Sequence, residues 1–147
     1  MAKILVIHGP NLNLLGSREP ALYGKVSLSD INQKLTERSS AYKGVKIAFL
    51  QTNAEVEMIN AIQKAGQDKV DALILNAGAF AHTSIALRDA LLAVQIPCYE
   101  VHLTNIWARE SFRHNSYLSD ISVGVVSGLG PVGYYAALEA AMVLLKI

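Results

Sequence analysis

The stretch that decides the fold is ALILNAGAFAHTSIALRDALLAVQIPCYEVHL, residues 72–103. It opens with a short apolar run, ALILNAG (72–78), which predicts a strand buried on both faces. Residues 83–94 have the apolar spacing of a helix, and Pro97 prevents that helix from continuing. A second buried strand is predicted in IPCYEVHL (96–103). Strand, helix and strand in this order predict a right-handed crossover between two parallel strands.

The same alternation extends along the rest of the chain. Three further apolar runs predict strands buried on both faces, namely KILVIH (3–8), VKIAFLQT (45–52) and ISVGVVSG (121–128). Helices are predicted between and after them. The first is capped by Ser27 or Ser29, the second runs over 55–65 and ends at Gly66, and the last lies in PVGYYAALEAAMVLLKI (131–147). The predicted inward positions are Val56, Ile59 and Ile62 in the second helix and Ile85, Leu91 and Val94 in the third.

Five parallel strands with helices on both faces predict an α/β, flavodoxin-like doubly wound sheet with strand order 2-1-3-4-5. No internal repeat, linker or low-complexity segment divides the chain, so residues 1–147 are expected to form a single catalytic domain. In this topology the loops after strands 1, 3 and 4 meet at the carboxyl edge of the sheet, where ligands bind.

Composition excludes several classes of protein. The 13 basic and 12 acidic residues are interspersed and give a net charge of +1, which argues against a nucleic-acid partner. The apolar N-terminal run is too short for a signal peptide or a membrane span, and the single Cys98 excludes a disulfide framework, so we expect a cytoplasmic protein with no membrane partner. A mean hydropathy of +0.29 is high for a small domain and predicts burial between subunits of an oligomer.

Familiar cofactor motifs are incomplete. GLGPVG (128–133) matches a dinucleotide-binding glycine pattern, but no strand with an acidic ribose ligand follows it. The loop GPNLNLLG (9–16) has few hydroxyl groups for FMN, and no phosphate-loop lysine is present. A receiver domain needs acidic residues where Asn11 and Asn76 stand. His82, His102 and Glu100 lack the spacing of a zinc site. We expect no metal and no cofactor, and keep a flavodoxin-like cofactor-binding module as the alternative function.

One pair of residues suggests acid catalysis. Glu100 and His102 are two apart on a predicted strand, so their side chains share a face. A neighbouring carboxylate fixes the tautomer of a histidine and raises its pKa, which suits a general acid.

Other candidates lie in the loops at the same edge. Tyr23 acts as a base only if cations stabilise its phenolate, and Arg18, Arg109 and Arg113 are candidates, although a surface tyrosine and surface salt bridges are the ordinary alternatives. Asn11 and Asn13 suit either a site or a turn. Asn76 ends strand 3, and AFAHTS (79–84) leads into a helix whose first amides could hold an anion. Together these groups favour proton abstraction and elimination.

Six blocks of the sequence resemble the type II 3-dehydroquinate dehydratases. They are HGPNLNLLG, REPALYG, NAGAFAHTS, LRDAL, EVHLTNIWARESFRH and GLGPVGY, and they run from the first strand to the last helix. The resemblance implies the flavodoxin-like fold and the loss of water from 3-dehydroquinate to give 3-dehydroshikimate through an enolate, in the shikimate pathway, without metal or organic cofactor. It also implies a homo-oligomer, typically a dodecamer built from trimers.

The resemblance assigns roles residue by residue. It implies that Tyr23 removes a proton from C2, that Arg18 on a mobile lid stabilises the phenolate, and that Asn11 holds a water beside the enolate. It implies that His102, supported by Glu100, protonates the departing C1 hydroxyl. The implied substrate ligands are Asn76, His82 and Arg113 for hydroxyl groups and ring position, Leu103 and Thr104 for the carboxylate, and Asp89 across a subunit contact.

The chain departs from the family pattern at a few positions. Thr104 stands where the family usually has serine, which keeps the hydroxyl and adds a methyl group beside the carboxylate. Trp107 replaces a histidine that is common in this block, and Phe80 and Ala81 precede His82 where an aromatic residue and a threonine are frequent. None of these departures removes a proposed catalytic group.

Overall fold

A computed structural model describes residues 1–17, 21 and 24–147 of the chain. These residues form a parallel sheet whose strands are β1 (Ala2–His8), β2 (Val45–Gln51), β3 (Ala72–Asn76), β4 (Cys98–His102) and β5 (Gly124–Ser127). The strand order is β2-β1-β3-β4-β5. The predicted flavodoxin-like topology is therefore confirmed.

Four α-helices of the described residues cover the two faces of the sheet. They are α1 (Leu28–Ser40), α2 (Glu55–Gln67), α3 (Ile85–Val94) and α4 (Val132–Leu144). Side chains of α1 and α4 pack with alternate residues of β1, β3 and β4 in one core, and side chains of α2 and α3 pack with the remaining strand residues in a second core. No helix in these described ranges has the length and apolar character needed to cross a membrane.

Helix boundaries follow local capping. Ser27 is the N-cap of α1: its hydroxyl accepts the Asp30 N–H at 3.1 Å, and the Asp30 carboxylate accepts the Ser27 N–H at 3.0 Å. Gly66 does not end α2 as predicted, because the helix continues to Gln67 and Gly66 packs against Val94 of α3. A glycine inside the helix allows this close approach.

Two predicted inward positions are wrong. Val56 is 66% exposed and Ile85 is 56% exposed. The buried stripe of α2 passes through Met58 and Ile62, and that of α3 passes through Leu87 and Leu91. A residue two positions before such a stripe is turned about 200° around the helix axis and faces solvent.

Burial on both strand faces is confirmed for the centre of the sheet and wrong for its edges. Every residue of β3 and β4 is buried, whereas most of β2 and β5 is half-buried or exposed. The central strands have a neighbour on each side and helices on both faces, and the edge strands lack one of those neighbours.

The loops at the carboxyl edge are held together by a close backbone contact. The Gly9 N–H donates to the Asn76 carbonyl at 2.7 Å, joining the ends of β1 and β3. A Cβ at Gly9 would lie 2.5 Å from the Ala77 carbonyl oxygen, so only glycine fits there without backbone movement. This contact brings the loops after β1 and β3 into one site.

Candidate active site

A pocket opens at the carboxyl edge of the sheet, where the loops after β1, β3 and β4 meet. Seven of the residues predicted for the site belong to it, and its described lining is Pro10, Asn11, Leu12, Leu15, Asn76, Gly78, Ala79, His82, His102, Leu103, Thr104, Ile106, Arg109 and Arg113. This is the position at which doubly wound sheets bind ligands.

His102 and Glu100 form a hydrogen-bonded pair at the end of β4. The Nε2–H group of His102 donates to Glu100 Oε2 at 2.5 Å, which fixes the ring and turns Nδ1 away from the carboxylate. Glu100 is fully buried behind His102, and His102 is itself almost completely buried. The pair predicted from the sequence is therefore present, with the histidine facing the pocket and the carboxylate supporting it.

Two serines that the sequence analysis missed complete the environment of Glu100. The Ser116 hydroxyl donates to Oε2 at 2.8 Å, and the Ser119 hydroxyl donates to Oε1 at 2.6 Å. Burial acts to raise the pKa of Glu100, but the hydrogen bonds from His102, Ser119 and Ser116 together hold that pKa below its ordinary value. Glu100 is thus a stable anion beside His102.

His82 lies next to His102, with the two ring centroids 5.7 Å apart. Its Nδ1–H group donates to the Asn115 carbonyl at 2.9 Å. Burial is the main cause that lowers the pKa of His82, and the nearby His102 and Arg113 lower it further. A neutral His82 protonated at Nδ1 presents an Nε2 acceptor, which suits a ligand hydroxyl group.

Asn11 and Asn76 line the pocket from neighbouring loops. Asn11 has a left-handed backbone (φ 69°), and its N–H donates to Asn53 Oδ1 at 2.9 Å, so it is both a turn residue and a lining residue. Asn13 lies in the 3-10 helix Leu12–Leu14, and its Oδ1 accepts from Gln51 Nε2 at 3.5 Å. The start of α3 lies outside the lining, where the Ser84 hydroxyl already accepts the Leu87 N–H, so the predicted anion site at that helix is not part of the pocket.

The loop after β4 supplies the cationic wall. The Arg113 Nε–H donates to Glu110 Oε1 at 2.9 Å, and the guanidinium of Arg109 donates to Thr104 Oγ1 at 3.3 Å. Arg109, one of the polar residues predicted at this edge after strand 4, lines the pocket. Trp107 is exposed outside the lining, and its ring centroid lies 5.3 Å from that of His114.

Four predicted site residues do not line this pocket. Glu100 lies behind it as the partner of His102, and the described structure does not bring the other three into it. Arg18 and Tyr23 lie outside the described residues. Asp89 is an exposed residue of α3 and does not belong to the lining of its own chain's pocket. The roles predicted for these three residues remain predictions.

Within the described part of the chain, no cluster of three or more histidine, cysteine or acidic side chains is arranged to hold a metal ion. The glycines of GLGPVG have structural functions. Gly128 (φ +91°) turns against Asn105, and Gly133 lets α4 approach Val126 of β5. The motif is a tight turn into a packed helix.

Fold and site define an enzyme class: an α/β acid–base enzyme with a histidine–carboxylate pair at the carboxyl edge of a flavodoxin-like sheet. Comparison with known proteins identifies the family within this enzyme class. Residues 2–142 match the family model "Dehydroquinase class II". The chain belongs to the class II dehydroquinase family.

Relatives match nearly the whole chain. It is 58% identical over 146 residues to the 3-dehydroquinate dehydratase of Legionella pneumophila (strain Corby), covering 99% of this chain and 100% of that protein. The corresponding enzyme of Stutzerimonas stutzeri (strain A1501) is 58% identical over 142 residues, covering 97% and 96%. The crystal structure of the type II dehydroquinase from Butyrivibrio crossotus superposes with a TM-score of 0.92 at 38% identity, covering 95% and 97%.

Proposed function

We propose that the chain eliminates water from 3-dehydroquinate to give 3-dehydroshikimate, and that the pocket after β1, β3 and β4 is its active site. Family membership and the full-length relatives named 3-dehydroquinate dehydratase assign this hydro-lyase activity. The observation that carries the assignment to this pocket is the buried His102–Glu100 pair beside Asn11, Asn76 and His82. No comparison favours the alternative of a cofactor-binding module.

The reaction begins, in this proposal, with a proton transfer from C2, next to the ketone. Tyr23 takes this proton as a phenolate that Arg18 stabilises, and these two roles rest on the resemblance to the family. The carbanion charge moves onto the ketone oxygen as an enolate. Asn11 holds a water that hydrogen-bonds to this oxygen, and a prearranged donor of this kind lowers the barrier to enolate formation.

His102 completes the elimination. When the enolate collapses, the C1–O bond breaks, and the departing hydroxyl group takes a proton from His102 and leaves as water. Nε2 of His102 donates to Glu100, so Nδ1 is the atom that faces the hydroxyl group. The anionic Glu100 stabilises the histidine that carries this proton.

The remaining groups bind substrate. His82 offers Nε2 as an acceptor for a hydroxyl group, and Asn76 and Arg113 hold the other hydroxyl groups and the ring. Leu103 contributes a backbone N–H and Thr104 its side-chain hydroxyl to the carboxylate, with Arg109 hydrogen-bonded to that same hydroxyl.

We also propose a homo-oligomer, a dodecamer built from trimers, in the cytoplasm. The exposed Val123, Val125 and Val132 around β5 support association, and Asp89, which lies outside its own pocket, is free to complete a neighbour's site.

The single Cys98 is buried, and burial raises the pKa of its thiol to about 12, which suits an unreactive core residue.

The activity is tested by adding 3-dehydroquinate to chelator-treated protein and following the ultraviolet absorbance of the conjugated product. Wild-type protein should convert 3-dehydroquinate without added metal. Tyr23→Phe should lower kcat at least about 100-fold because it removes the base. Tyr42→Phe is the matched control, since this hydroxyl donates to Glu139 away from the pocket, and it should stay within about twofold of wild type. Absence of turnover by folded wild-type protein would refute the function, and full activity of Tyr23→Phe would refute the base.

A further inference from the structure

A chain of buried hydrogen bonds runs from α1 and α4, on one face of the sheet, to the pocket. His8 Nε2 lies 2.7 Å from Asn32 Oδ1, and His8 Nδ1 lies 2.8 Å from the Tyr134 hydroxyl. The Tyr134 hydroxyl lies 3.0 Å from Asn76 Nδ2. Asn76 lines the pocket, whereas His8 and Tyr134 are fully buried and do not. These hydrogen bonds therefore connect the core residues His8 and Tyr134, which have no role in the proposed reaction, to the ligand-facing amide of Asn76.

The chemistry of the four groups fixes the direction of every hydrogen bond. Asn32 Oδ1 can only accept, so His8 carries its proton on Nε2. His8 Nδ1 is then an acceptor and takes the hydrogen of the Tyr134 hydroxyl. The Tyr134 oxygen in turn accepts from Asn76 Nδ2. Each donor has one acceptor, and the chain is complete only with a neutral His8.

The surroundings of His8 keep it neutral. Its ring contacts the side chains of Asn32 in α1, Phe49 in β2 and Tyr134 in α4, and none of these is charged. Burial lowers the pKa of His8 to about 4, against a raising effect of the Asn32 hydrogen bond. A protonated ring would donate at both nitrogens, and the Tyr134 hydrogen would then have no acceptor within the chain.

The same bonds fix the carboxamide of Asn76. Its Oδ1 accepts the Gly78 N–H at 3.1 Å, and one Nδ2 hydrogen is used by Tyr134. The second Nδ2 hydrogen remains. We propose that His8 and Tyr134 are positioning residues that hold Asn76 so that it presents an N–H donor to a ligand oxygen in the pocket. This inference rests on the proposed function, in which that oxygen belongs to a 3-dehydroquinate hydroxyl group.

The first test is a double-mutant cycle with 3-dehydroquinate as substrate. Tyr134→Phe keeps the ring and removes the hydroxyl, and it should raise KM about tenfold with kcat within about threefold, because a binding contact is lost equally in ground and transition states. Combined with Asn76→Ala, it should add no more than about twofold to the loss in kcat/KM, since Tyr134 acts only through Asn76. Tyr135→Phe is the control: Tyr135 lies on the same helix but is not part of the hydrogen bonds that join His8, Tyr134 and Asn76, so this variant should leave KM unchanged.

Two kinetic outcomes would overturn the proposal. One is a Tyr134→Phe effect that adds in full to that of Asn76→Ala. The other is a lower kcat with an unchanged KM, which indicates loss of folded protein and a purely structural role. If the Tyr134→Phe variant folds poorly, the tautomer and charge of His8 in wild-type protein decide the proposal.

The second test needs no substrate, so it separates this proposal from the proposed function. In wild-type protein with 15N-labelled histidine, the NMR signals of His8 should be those of a neutral ring protonated at Nε2, unchanged from pH 8 to pH 5.5. A ring protonated at Nδ1, or one that becomes cationic above pH 5.5, would overturn the direction of the chain even if the enzyme is fully active.

Discussion

Glu100 illustrates how a single residue keeps a charge inside a protein core. A carboxylate without water is stable only when donors surround it. Here His102, Ser116 and Ser119 supply three donors to its two oxygens. The charge that supports the proposed acid therefore depends on two serines outside the pocket lining.

Ser119→Ala should shift the acid limb of the pH profile of kcat/KM upward. The pKa of Glu100 is held below its ordinary value, so the carboxylate becomes protonated only in acid. Losing one of the bonds that lower this pKa makes protonation, and loss of activity, begin at higher pH. A hydrogen bond to a charged group contributes about 1.5–3 kcal/mol, which predicts a shift of about one to two pH units.

Ser122→Ala is the control for this experiment, because its hydroxyl donates to the Leu118 carbonyl and not to Glu100. Its acid limb should coincide with that of wild type. An unshifted profile for Ser119→Ala, measured with 3-dehydroquinate between pH 4 and pH 9, would contradict the role assigned to the serine.

The sequence predicted the Glu100–His102 pair but not the serine donors to Glu100, for a physical reason. Glu100 and His102 are two apart on a strand, and period two places them on one face. Ser116 and Ser119 reach Glu100 from a loop without periodicity, at sequence separations of 16 and 19. The partner of such a loop residue is set by tertiary packing, which the local pattern does not encode.

At the scale of elements, the pocket depends on the contact between the loops after β1 and β3. Gly9 touches the Ala77 carbonyl, and Gly78 (φ +59°) packs against Pro10. Residues 8–11 (HGPN) and 76–78 (NAG) therefore pack directly against each other. This backbone contact sets the distance between Asn11 and Asn76 in the pocket.

Gly9→Ala should separate these two loops. Its Cβ would lie 2.5 Å from a backbone oxygen, which cannot rotate away as a side chain does. We expect a loss of about 2–3 kcal/mol in the free energy of unfolding, together with a higher KM. Denaturant unfolding and substrate kinetics measure the two effects.

Gly124→Ala is the matched substitution, since its Cβ would meet Tyr99 at 3.6 Å, an ordinary contact. It should change the free energy of unfolding by less than about 1 kcal/mol. If Gly9→Ala were equally mild, the tight contact would not be what holds the loops.

The sequence predicted the elements better than their faces and ends. Apolar runs and Pro97 located the helix between β3 and β4, with a predicted start at residue 83. The helix begins instead at Ile85, because residues 78–82 form a 3-10 helix and the Ser84 hydroxyl accepts the Leu87 N–H as an N-cap. Val56 and Ile85 are apolar and exposed, so composition alone misplaced them. Surfaces that bind other subunits have this same apolar composition.

At the scale of the whole molecule, the described residues of one chain leave Asp89 outside the pocket to which it was predicted to belong. His102, His82 and Asn76 meet in one pocket, while Asp89 is exposed on α3 outside it. In a closed ring of identical subunits, a residue on the surface of one copy can reach the pocket of the next. The proposed trimer therefore makes a testable statement about where Asp89 acts.

Mixing two inactive variants should restore activity if Asp89 acts across a subunit contact. Asp89→Ala subunits keep Tyr23, and Tyr23→Phe subunits keep Asp89. After the two are unfolded and refolded together in equal amounts, about one quarter of the sites combine an intact Tyr23 with an intact neighbouring Asp89. Turnover of 3-dehydroquinate should recover to about that fraction of wild type, whereas each variant refolded alone should stay inactive. If Asp89 instead serves its own pocket, no mixed site is intact and the mixture stays inactive, because every pocket still lacks one of the two groups.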